Sequence, residues 1–187
     1  MYHDVIEKVC LAISDNSIDK AKATIKNEYP FVALENAGRK YTDFQKTKIF
    51  IRDGFVDRYS GDKLLFPPVL RVLSIIMPSE FLFHKNWKMS ECHIAYWQLL
   101  PTVDHMIPIS RGGADDESNW VCSSQLRNSA KSNWMLEDLG WELHPQGDIN
   151  VWDGQIKWFV DYVNSNLGIL DDNYIKSWYK AAIKALK

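Results

Sequence analysis

The chain has 187 residues, a length that fits one domain with at most a small appendage. Its 46% hydrophobic and 25% charged residues exclude a disordered or collagen-like chain. The net charge of −2 argues against a protein that holds nucleic acid by bulk charge alone, because such proteins usually carry a strong basic excess.

The cysteines and the hydropathy pattern predict a soluble protein of the cytoplasm. Cys10, Cys92 and Cys122 are odd in number and far apart, so neither a disulfide framework nor a four-cysteine zinc site is expected. The N-terminal residues lack the basic-then-apolar pattern of a secretory signal. No apolar stretch approaches the roughly 18 to 20 residues that a membrane span requires, so no membrane partner is expected.

Residues 1–52 are predicted to form an N-terminal helical region. Apolar side chains from Val5 to Ile13 recur at helical spacing, which predicts a first helix. The basic residues of this region leave two interpretations open, a solvated helix face or a contact surface for a DNA backbone. A second helix is expected from Asn16 or Ser17 through Lys26, and a third from Thr42 to Ile51. The basic residues with these two interpretations are Arg39, Lys40, Lys46 and Lys48.

The rest of the chain divides into a central core region, 53–140, and a C-terminal helical region, 141–187. Periodicity does not decide between a buried helix and a strand for Leu70 to Met77. The last helix has a wide apolar stripe, which predicts either core packing or the seam of a homodimer. Helices are expected over Ser90 to Leu99, from Asp153 to about residue 164, and from Asp171 or Asp172 onward.

Residues 101–133 hold the side chains that suggest chemistry. A strand is predicted to end soon after Asp104 and His105, because Pro108 cannot continue a central ladder. A loop with solvated acidic residues, a second strand and a helix follow, and this arrangement is expected to bring Asp104 and His105 to face Asn128. The predicted elements are a strand from Thr102 to His105, a loop that includes Asp115 and Asp116, a strand from Asn119 to Cys122, and a helix capped by Ser123 or Ser124.

These residue types suit phosphodiester hydrolysis. Asp104 and Asn128 offer hard oxygen ligands for Mg²⁺ or Mn²⁺. The neighbouring His105 suits proton abstraction from water at neutral pH. A divalent ion at such a site neutralises charge that develops on the phosphate and on the leaving oxygen.

The segment resembles the HNH, or ββα-metal, nuclease motif. The common form of that motif is Asp-His-x-x-Pro, then Gly-Gly-x-Asp-Asp, then Asn, then a third His or Asn followed by a basic residue. The resemblance implies an α+β fold, with a small ββα core wrapped by N- and C-terminal helices. The matching residues here are Asp104-His105 and Pro108, Gly112 to Asp116, Asn119, and Asn128 with Lys131.

The resemblance also implies roles for individual residues. His105 takes the place of the general base, and Asp104 and Asn128 take the places of the metal ligands. Asn119 completes the catalytic group, where it is expected to order the long loop and so orient the base. The residues predicted to contact phosphate, with simple solvent exposure as the open alternative, are Arg111, Arg127 and Lys131.

Many members of this family carry two cysteine pairs that bind a structural zinc. The corresponding positions fall near Asp57 and Ser60 and near Ser124 and Arg127, none of which is cysteine, so no structural zinc is expected. The eight tryptophans suggest a substitute, because buried aromatic side chains cover large areas. The tryptophans expected to pack under the motif are Trp120, Trp134 and Trp141.

The expected activity is hydrolysis of DNA, most simply double-stranded DNA, with one Mg²⁺ or Mn²⁺ ion. Two alternatives stay open. The first is a non-catalytic nucleic-acid-binding module on the same scaffold, and the second is a nuclease for RNA or branched nucleic acid. Restriction, phage defence, mobile-element function and repair all use the motif, so the sequence leaves the biological setting open.

Overall fold

The computed structural model describes residues 1–32 and 41–187. The chain divides into two compact units, Met1–Ala37 and Gly38–Lys187. Over the described residues it has nine α-helices and one antiparallel sheet of two strands, which confirms the predicted α+β class. The division into 1–52, 53–140 and 141–187 stays a prediction, and the basic pair Arg39-Lys40 lies outside the described residues.

The first unit consists of two helices that pack on each other, α1 (Tyr2–Ser14) and α2 (Ile18–Glu28). Ser17 stands at the N-cap of α2, as one of the two predicted caps. Val5 and Ala21 are among the few buried side chains, so this pair has a small core. The prediction of two helices at the N-terminus is confirmed.

The second unit surrounds the short sheet with helices. Thr42 caps the first of these helices as predicted, since its hydroxyl accepts a hydrogen bond from Gln45 N at 3.2 Å and the Gln45 side chain accepts one from Thr42 N. The elements in chain order are α3 (Asp43–Arg52), α4 (Pro67–Ile76), α5 (Ala95–Gln98), β1 (Pro101–His105), β2 (Trp120–Ser124), α6 (Gln125–Lys131), α7 (Leu136–Leu139), α8 (Ile156–Ser165) and α9 (Asn173–Ala185).

The structure decides one ambiguous stretch of the central region and corrects one predicted helix. The Leu70 to Met77 stretch belongs to helix α4, whose first turn holds Pro67 and Pro68. Proline is well placed there, because the first helical N–H groups have no partner within the helix. The Ser90 to Leu99 stretch is less helical than expected, with a short 3₁₀ turn followed by the four residues of α5.

The two C-terminal helices pack against the central region to form the core of the second unit. Asp172 caps α9 by accepting hydrogen bonds from Tyr174 N and Ile175 N at 2.9 and 3.1 Å. Part of the apolar stripe of each helix is buried in this core, while Tyr174 and Leu186 of the α9 stripe are exposed, so the homodimer seam stays a prediction. The buried side chains they contribute are Ile156, Phe159, Val163, Ile175, Trp178 and Ala182.

Strands β1 and β2 determine where the site residues point. Their antiparallel register pairs His105 with Trp120 and Asp104 with Val121. Side chains alternate between the two faces of a strand, so Asp104 and His105 leave β1 in opposite directions. In the described parts of the chain, no helix has the length and apolar character needed to cross a membrane.

Candidate active site

The candidate site lies on both faces of the C-terminal end of β1. We call the side toward α6 the oxygen face, formed by Thr102, Asp104, Asn128 and Lys131. We call the other side the imidazole face, formed by Tyr41, His105, Asp115 and Trp120. The expectation that Asp104 and His105 both face Asn128 is wrong for the His105 side chain, because adjacent strand residues project to opposite sides.

The oxygen face joins β1 to α6 through two contacts. Thr102 and Asp104 are two residues apart on the strand and share a face, while Asn128 and Lys131 are almost one turn apart on the helix. The amide nitrogen of Asn128 donates to Thr102 Oγ1 at 2.9 Å. The ammonium of Lys131 lies 3.2 Å from Asp104 Oδ2. The strand and the helix therefore place Asp104 and Asn128 on facing surfaces.

Asp104 is held by two donors at one of its oxygens. Tyr59 donates its hydroxyl to Asp104 Oδ2 at 2.8 Å, and Lys131 approaches the same oxygen. Burial first, and then the neighbouring Asp104 carboxylate, raise the pKa of Tyr59 above its usual value, so this hydroxyl stays protonated and donates. Lys131 has no exposed surface and also donates to the backbone oxygen of His105 at 2.7 Å. Its cation thus fixes the last two residues of β1.

The imidazole face is organised around one oxygen of Asp115. His105 Nε2 lies 2.8 Å from Asp115 Oδ1, and both Trp120 Nε1 and the Tyr41 hydroxyl approach the same oxygen, at 3.2 and 3.3 Å. Trp120 Nε1 and the Tyr41 hydroxyl also lie 3.0 and 3.3 Å from His105 Nε2. His105 itself is only 4% exposed, whereas the Asp115 side chain is 48% exposed.

An ionised Asp115 accounts for this cluster. The hydrogen bond from His105, helped by those from Trp120 and Tyr41, lowers the pKa of Asp115 below its usual value. When Nε2 donates to this carboxylate, the acceptor nitrogen of the imidazole is Nδ1. A carboxylate in this position fixes the orientation of the ring and stabilises the imidazolium that proton abstraction forms. Asp115 lies in a polar loop that was predicted to be solvated, so its contact with His105 was not expected from the sequence.

Asn119 holds the loop between β1 and β2 in its conformation. Its side-chain oxygen accepts from Ile107 N at 2.9 Å, and its amide nitrogen donates to Ile107 O and Ala114 O at 2.7 and 2.9 Å. Gly113 is required beside it, since a Cβ there would clash with the Ile107 carbonyl and lie 2.7 Å from the Asn119 amide nitrogen. These contacts have the form expected of a residue that orders the loop, while its part in catalysis stays a prediction.

The three residues predicted to contact phosphate lie in different environments. Arg111 is exposed, with its guanidinium 5.7 Å from the centre of the Trp134 ring and 3.7 Å from Asp138. Arg127 is partly buried and lies over the Trp141 ring at 5.1 Å. Lys131 is enclosed between β1 and α6, and its burial argues for positioning Asp104 over direct contact with phosphate.

Two buried carboxylates connect the segment after α3 to strand β2. Asp57 accepts hydrogen bonds from Tyr59 N and Ser124 N, both at 2.9 Å. Asp53 accepts one from Cys122 N at 2.8 Å and is paired with the neighbouring Arg52. Positions 57 and 124 are among those where the resemblance would place zinc ligands. A direct hydrogen bond therefore joins the two segments that a zinc ion would join.

The tryptophans contribute less to this junction than expected. Trp120 is 9% exposed and packs edge-on against Tyr41, with the ring centres 4.9 Å apart. Trp141 is partly buried near Tyr59, at 6.0 Å between ring centres. Trp134 is 52% exposed, so the expectation that it packs beneath the motif is wrong. The chain satisfies its buried polar groups here with carboxylates, a solution that composition does not indicate.

The oxygen face has the donor chemistry of a hard-cation site. Tyr59 and Lys131 both contact Asp104 through Oδ2, and the amide nitrogen of Asn128 donates to Thr102. Asp104 Oδ1 and Asn128 Oδ1 have no hydrogen-bond partner among the described residues, so each can serve as a ligand. No group of three His, Cys, Asp or Glu side chains over residues 1–32 and 41–187 is arranged to hold a metal. Two protein oxygens suit Mg²⁺, which usually keeps several waters.

The strand–loop–strand–helix unit, with an imidazole at the end of β1 and carboxylate and amide oxygens beside it, defines a nuclease-type site. The family model for HNH endonuclease matches residues 90–133, which span β1, the loop, β2 and α6. These residues therefore form an HNH domain. Comparisons with curated proteins and with solved structures give no match.

Proposed function

We propose that the protein is an endonuclease that hydrolyses phosphodiester bonds of double-stranded DNA with the help of one divalent cation. The observation that carries the proposal is the pair formed by His105 and Asp115 at the end of β1, inside the segment that matches the HNH family. An imidazole held by a carboxylate is suited to accept a proton from water.

The residues of the imidazole face move the proton. His105 takes a proton from the attacking water, whose oxygen forms a bond to phosphorus, while Asp115 holds the ring and stabilises its charged form. The bond from phosphorus to the 3′ oxygen breaks, and the 3′ oxygen takes up a proton from solvent. The products carry 5′-phosphate and 3′-hydroxyl ends. Asn119 keeps the loop that bears Asp115 against the end of β1.

The residues of the oxygen face would hold the cation. Asp104 and Asn128 supply one oxygen ligand each, and Mg²⁺ or Mn²⁺ fits these ligands. A cation held there would neutralise negative charge on the phosphate and on the leaving oxygen. Tyr59 and Lys131 keep the Asp104 carboxylate in place by occupying its other oxygen. Exposed Arg111 and the half-exposed Lys48 are candidates for contacts with the DNA backbone.

One alternative also has an observation in its favour. His105 is nearly buried, and the Lys131 cation already lies 3.2 Å from Asp104. Both features suit a non-catalytic nucleic-acid-binding module, because they stabilise the fold without a metal. The same experiment separates the two functions.

Plasmid nicking in Mg²⁺, in Mn²⁺ and in EDTA tests the proposal. We expect nicking with the cations and none in EDTA. His105→Ala is expected to reduce the rate about 10²- to 10⁴-fold, since a general base typically contributes that much. Binding of the same DNA, measured in EDTA by fluorescence anisotropy, is expected to persist in the variant. RNA and branched DNA serve as parallel substrates.

His84→Ala is the matched control, since His84 lies outside the motif match and outside both faces of the site. It is expected to nick DNA at the wild-type rate. Tight DNA binding without metal-dependent nicking in any buffer would replace the enzyme with the binding module. Nicking that survives His105→Ala would remove His105 from its role as the base.

A further inference from the structure

A second pocket, apart from the two faces of the site, lies among α4, α5 and α9. Its volume is about 240 Å³. That is somewhat below the roughly 300 to 1,000 Å³ of pockets for drug-sized ligands, so it fits one flat ring system. Aromatic side chains form most of its wall, and one ion pair contributes its polar groups. The lining residues are Arg71, Phe83, Trp87, Tyr96, Asp172 and Tyr174.

The ion pair in this pocket leaves one edge of the Arg71 guanidinium available, formed by Nη1 and the second N–H of Nη2. Arg71 Nε and Nη2 lie 2.9 and 2.8 Å from Asp172 Oδ2, while Asp172 Oδ1 accepts the two backbone N–H groups that cap α9. The carboxylate is therefore fully engaged. Arg71 Nη1 has no hydrogen-bond partner among the described residues, and the guanidinium lies 4.6 Å from the centre of the Phe83 ring. The pocket thus offers a fixed, planar donor beside aromatic surfaces.

The backbone at one wall is unusual. Trp87 has a φ of +54°, a conformation that bulky side chains rarely adopt. Its ring packs edge-on against Tyr96 and against Trp97, with ring centres 5.7 and 5.8 Å apart. The strained backbone holds a large, partly exposed indole at the pocket. Strain of this kind persists where the surroundings impose it, and it often accompanies ligand sites.

We propose that this pocket binds a single guanine base, extruded from the nucleic acid on which the HNH site acts. Aromatic walls suit any base, because every base has a face that stacks. The Arg71 edge selects among them, because an arginine fork pairs with the O6 and N7 acceptors of guanine. On the edge that carries N7, adenine places an amino donor, which would oppose the guanidinium, and the pyrimidines have no N7 acceptor. The extruded-base part of this inference rests on the proposed function.

A neighbouring cavity shares one wall residue with this pocket and another with the imidazole face. It has a volume of about 280 Å³, and Tyr174 lines both cavities. Its other walls include Val103 of β1 and Tyr41, whose hydroxyl lies 3.3 Å from His105 Nε2. Lys46 lines it as well, with its ammonium 5.5 Å from the centre of the Trp178 ring. A nucleic-acid strand that runs from His105 to the pocket would therefore pass aromatic side chains and the Lys46 ammonium.

Titration with guanosine 5′-monophosphate in EDTA tests the pocket without any cleavage. The indole N–H signals of the tryptophans are followed by NMR, and the signal that disappears in Trp87→Phe identifies Trp87. We expect guanosine monophosphate to shift the Trp87 signal, and the adenosine and cytidine monophosphates to bind at least about fivefold more weakly. Arg71→Lys keeps a cation beside Asp172 but loses the fork, and it should weaken guanosine monophosphate at least about fivefold.

Phe81→Leu is the matched control. Phe81 packs on the same Tyr96, at 5.8 Å between ring centres, but does not line the pocket. The Phe81→Leu variant is expected to bind guanosine monophosphate with the affinity of the wild type. Equal affinity for all three nucleotides, an unchanged affinity in Arg71→Lys, or a shift of other indoles alone would overturn the pocket assignment.

A second arm identifies the source of the base. Single guanines of a DNA duplex are replaced by 7-deazaguanine, which lacks the N7 acceptor. We expect one position at which binding in EDTA falls at least about fivefold for the wild type and not for Arg71→Lys. If guanosine monophosphate binds as expected but no position responds, the pocket takes a free nucleotide and the extruded-base inference is wrong. If no nucleic acid is cut, the proposed function fails while the titration still decides the pocket.

Discussion

The two faces of β1 differ in how they use charge. On the oxygen face, the Lys131 cation is fully enclosed and is bonded to Asp104 and to the backbone of His105. On the imidazole face, the charged group is Asp115, which is half exposed and receives donors from His105 and two aromatic side chains. The enclosed Lys131 cation is suited to stabilising the fold, whereas the exposed Asp115 carboxylate is suited to assisting proton transfer. We therefore expect changes on the oxygen face to alter stability most, and changes on the imidazole face to alter activity.

Lys131→Met should give the largest change in stability. The variant leaves the His105 carbonyl without its side-chain donor and the Asp104 carboxylate with Tyr59 alone, and breaking such a buried ion pair costs about 3 kcal/mol in the free energy of unfolding. For a domain of this size, that corresponds to a melting temperature lower by roughly 6 to 12 °C. Urea unfolding and thermal melting measure it.

Lys48→Met is the control for this change. Lys48 has half its side chain exposed and a single contact, at 3.4 Å, with Glu117. Its replacement should alter stability by no more than about 0.5 kcal/mol, as is usual for exposed ion pairs. If the two variants unfold alike, the buried cation does not stabilise the oxygen face.

Asp57→Asn should give the next largest change. The carboxylate accepts Tyr59 N and Ser124 N with separate oxygens, and an amide can replace only one of them. An unsatisfied buried N–H costs about 1 to 3 kcal/mol, which urea unfolding would detect. A zinc chelator should leave the wild-type melting temperature unchanged, because this hydrogen bond takes the position of a zinc bridge.

Asp62→Asn provides the comparison, since Asp62 is exposed and its carboxylate accepts only the Ser60 hydroxyl among the described residues. It should alter stability by no more than about 0.5 kcal/mol. A loss of stability in the chelator would show that a metal holds this junction after all.

Local signals predicted the parts of the fold that local physics determines. Thr42 and Asp172 are strong N-cap residues followed by helical patterns, and both cap helices as expected. Pro108 and the glycines after it mark the end of β1 and the start of a loop. The Asn119 side chain binds the loop in the way that the family resemblance implied. These features depend on residues close in sequence or on a recognised spacing.

The contacts that sequence did not predict depend on packing between distant segments. Asp57 and Ser124 are 67 residues apart, and no local pattern connects them. The burial of Lys131 runs against the general exposure of lysine, and only the approach of α6 to β1 explains it. Asp115 belongs to a polar loop that reads as solvated, and the fold of that loop around Asn119 brings it back to His105.

Asp115→Asn tests whether the imidazole face handles the proton during cleavage. The amide keeps the size of the carboxylate but loses its charge, so the ring is less well oriented and its protonated form less stable. We expect plasmid nicking to slow about 10- to 100-fold. Asp116→Asn is the control, because Asp116 is bonded to Ser118 and has no contact with His105. Equal rates in the two variants would contradict the role of Asp115.

The smallest expected effect is the pH dependence of stability that Asp115 contributes. The bond from His105 is the main cause that lowers the pKa of Asp115 in the folded protein. A carboxyl with a lowered pKa stabilises the fold above its unfolded value, near 3.9, and this contribution is lost as pH falls through the folded value. Urea unfolding should therefore show the wild type more stable than Asp115→Asn from about pH 5 to 7, with a gap that closes below about pH 4.

The difference in unfolding free energy between wild type and Asp115→Asn should shrink when both proteins also carry His105→Ala. The main partner of the carboxylate is then missing. A gap that is constant with pH would mean that the exposed carboxylate is not the charged partner of His105. A gap that His105→Ala does not change would assign the effect to Trp120 and Tyr41 instead. Only a gap that depends on both pH and His105 joins Asp115 to the imidazole as one proton-handling pair, and it does so without reference to cleavage.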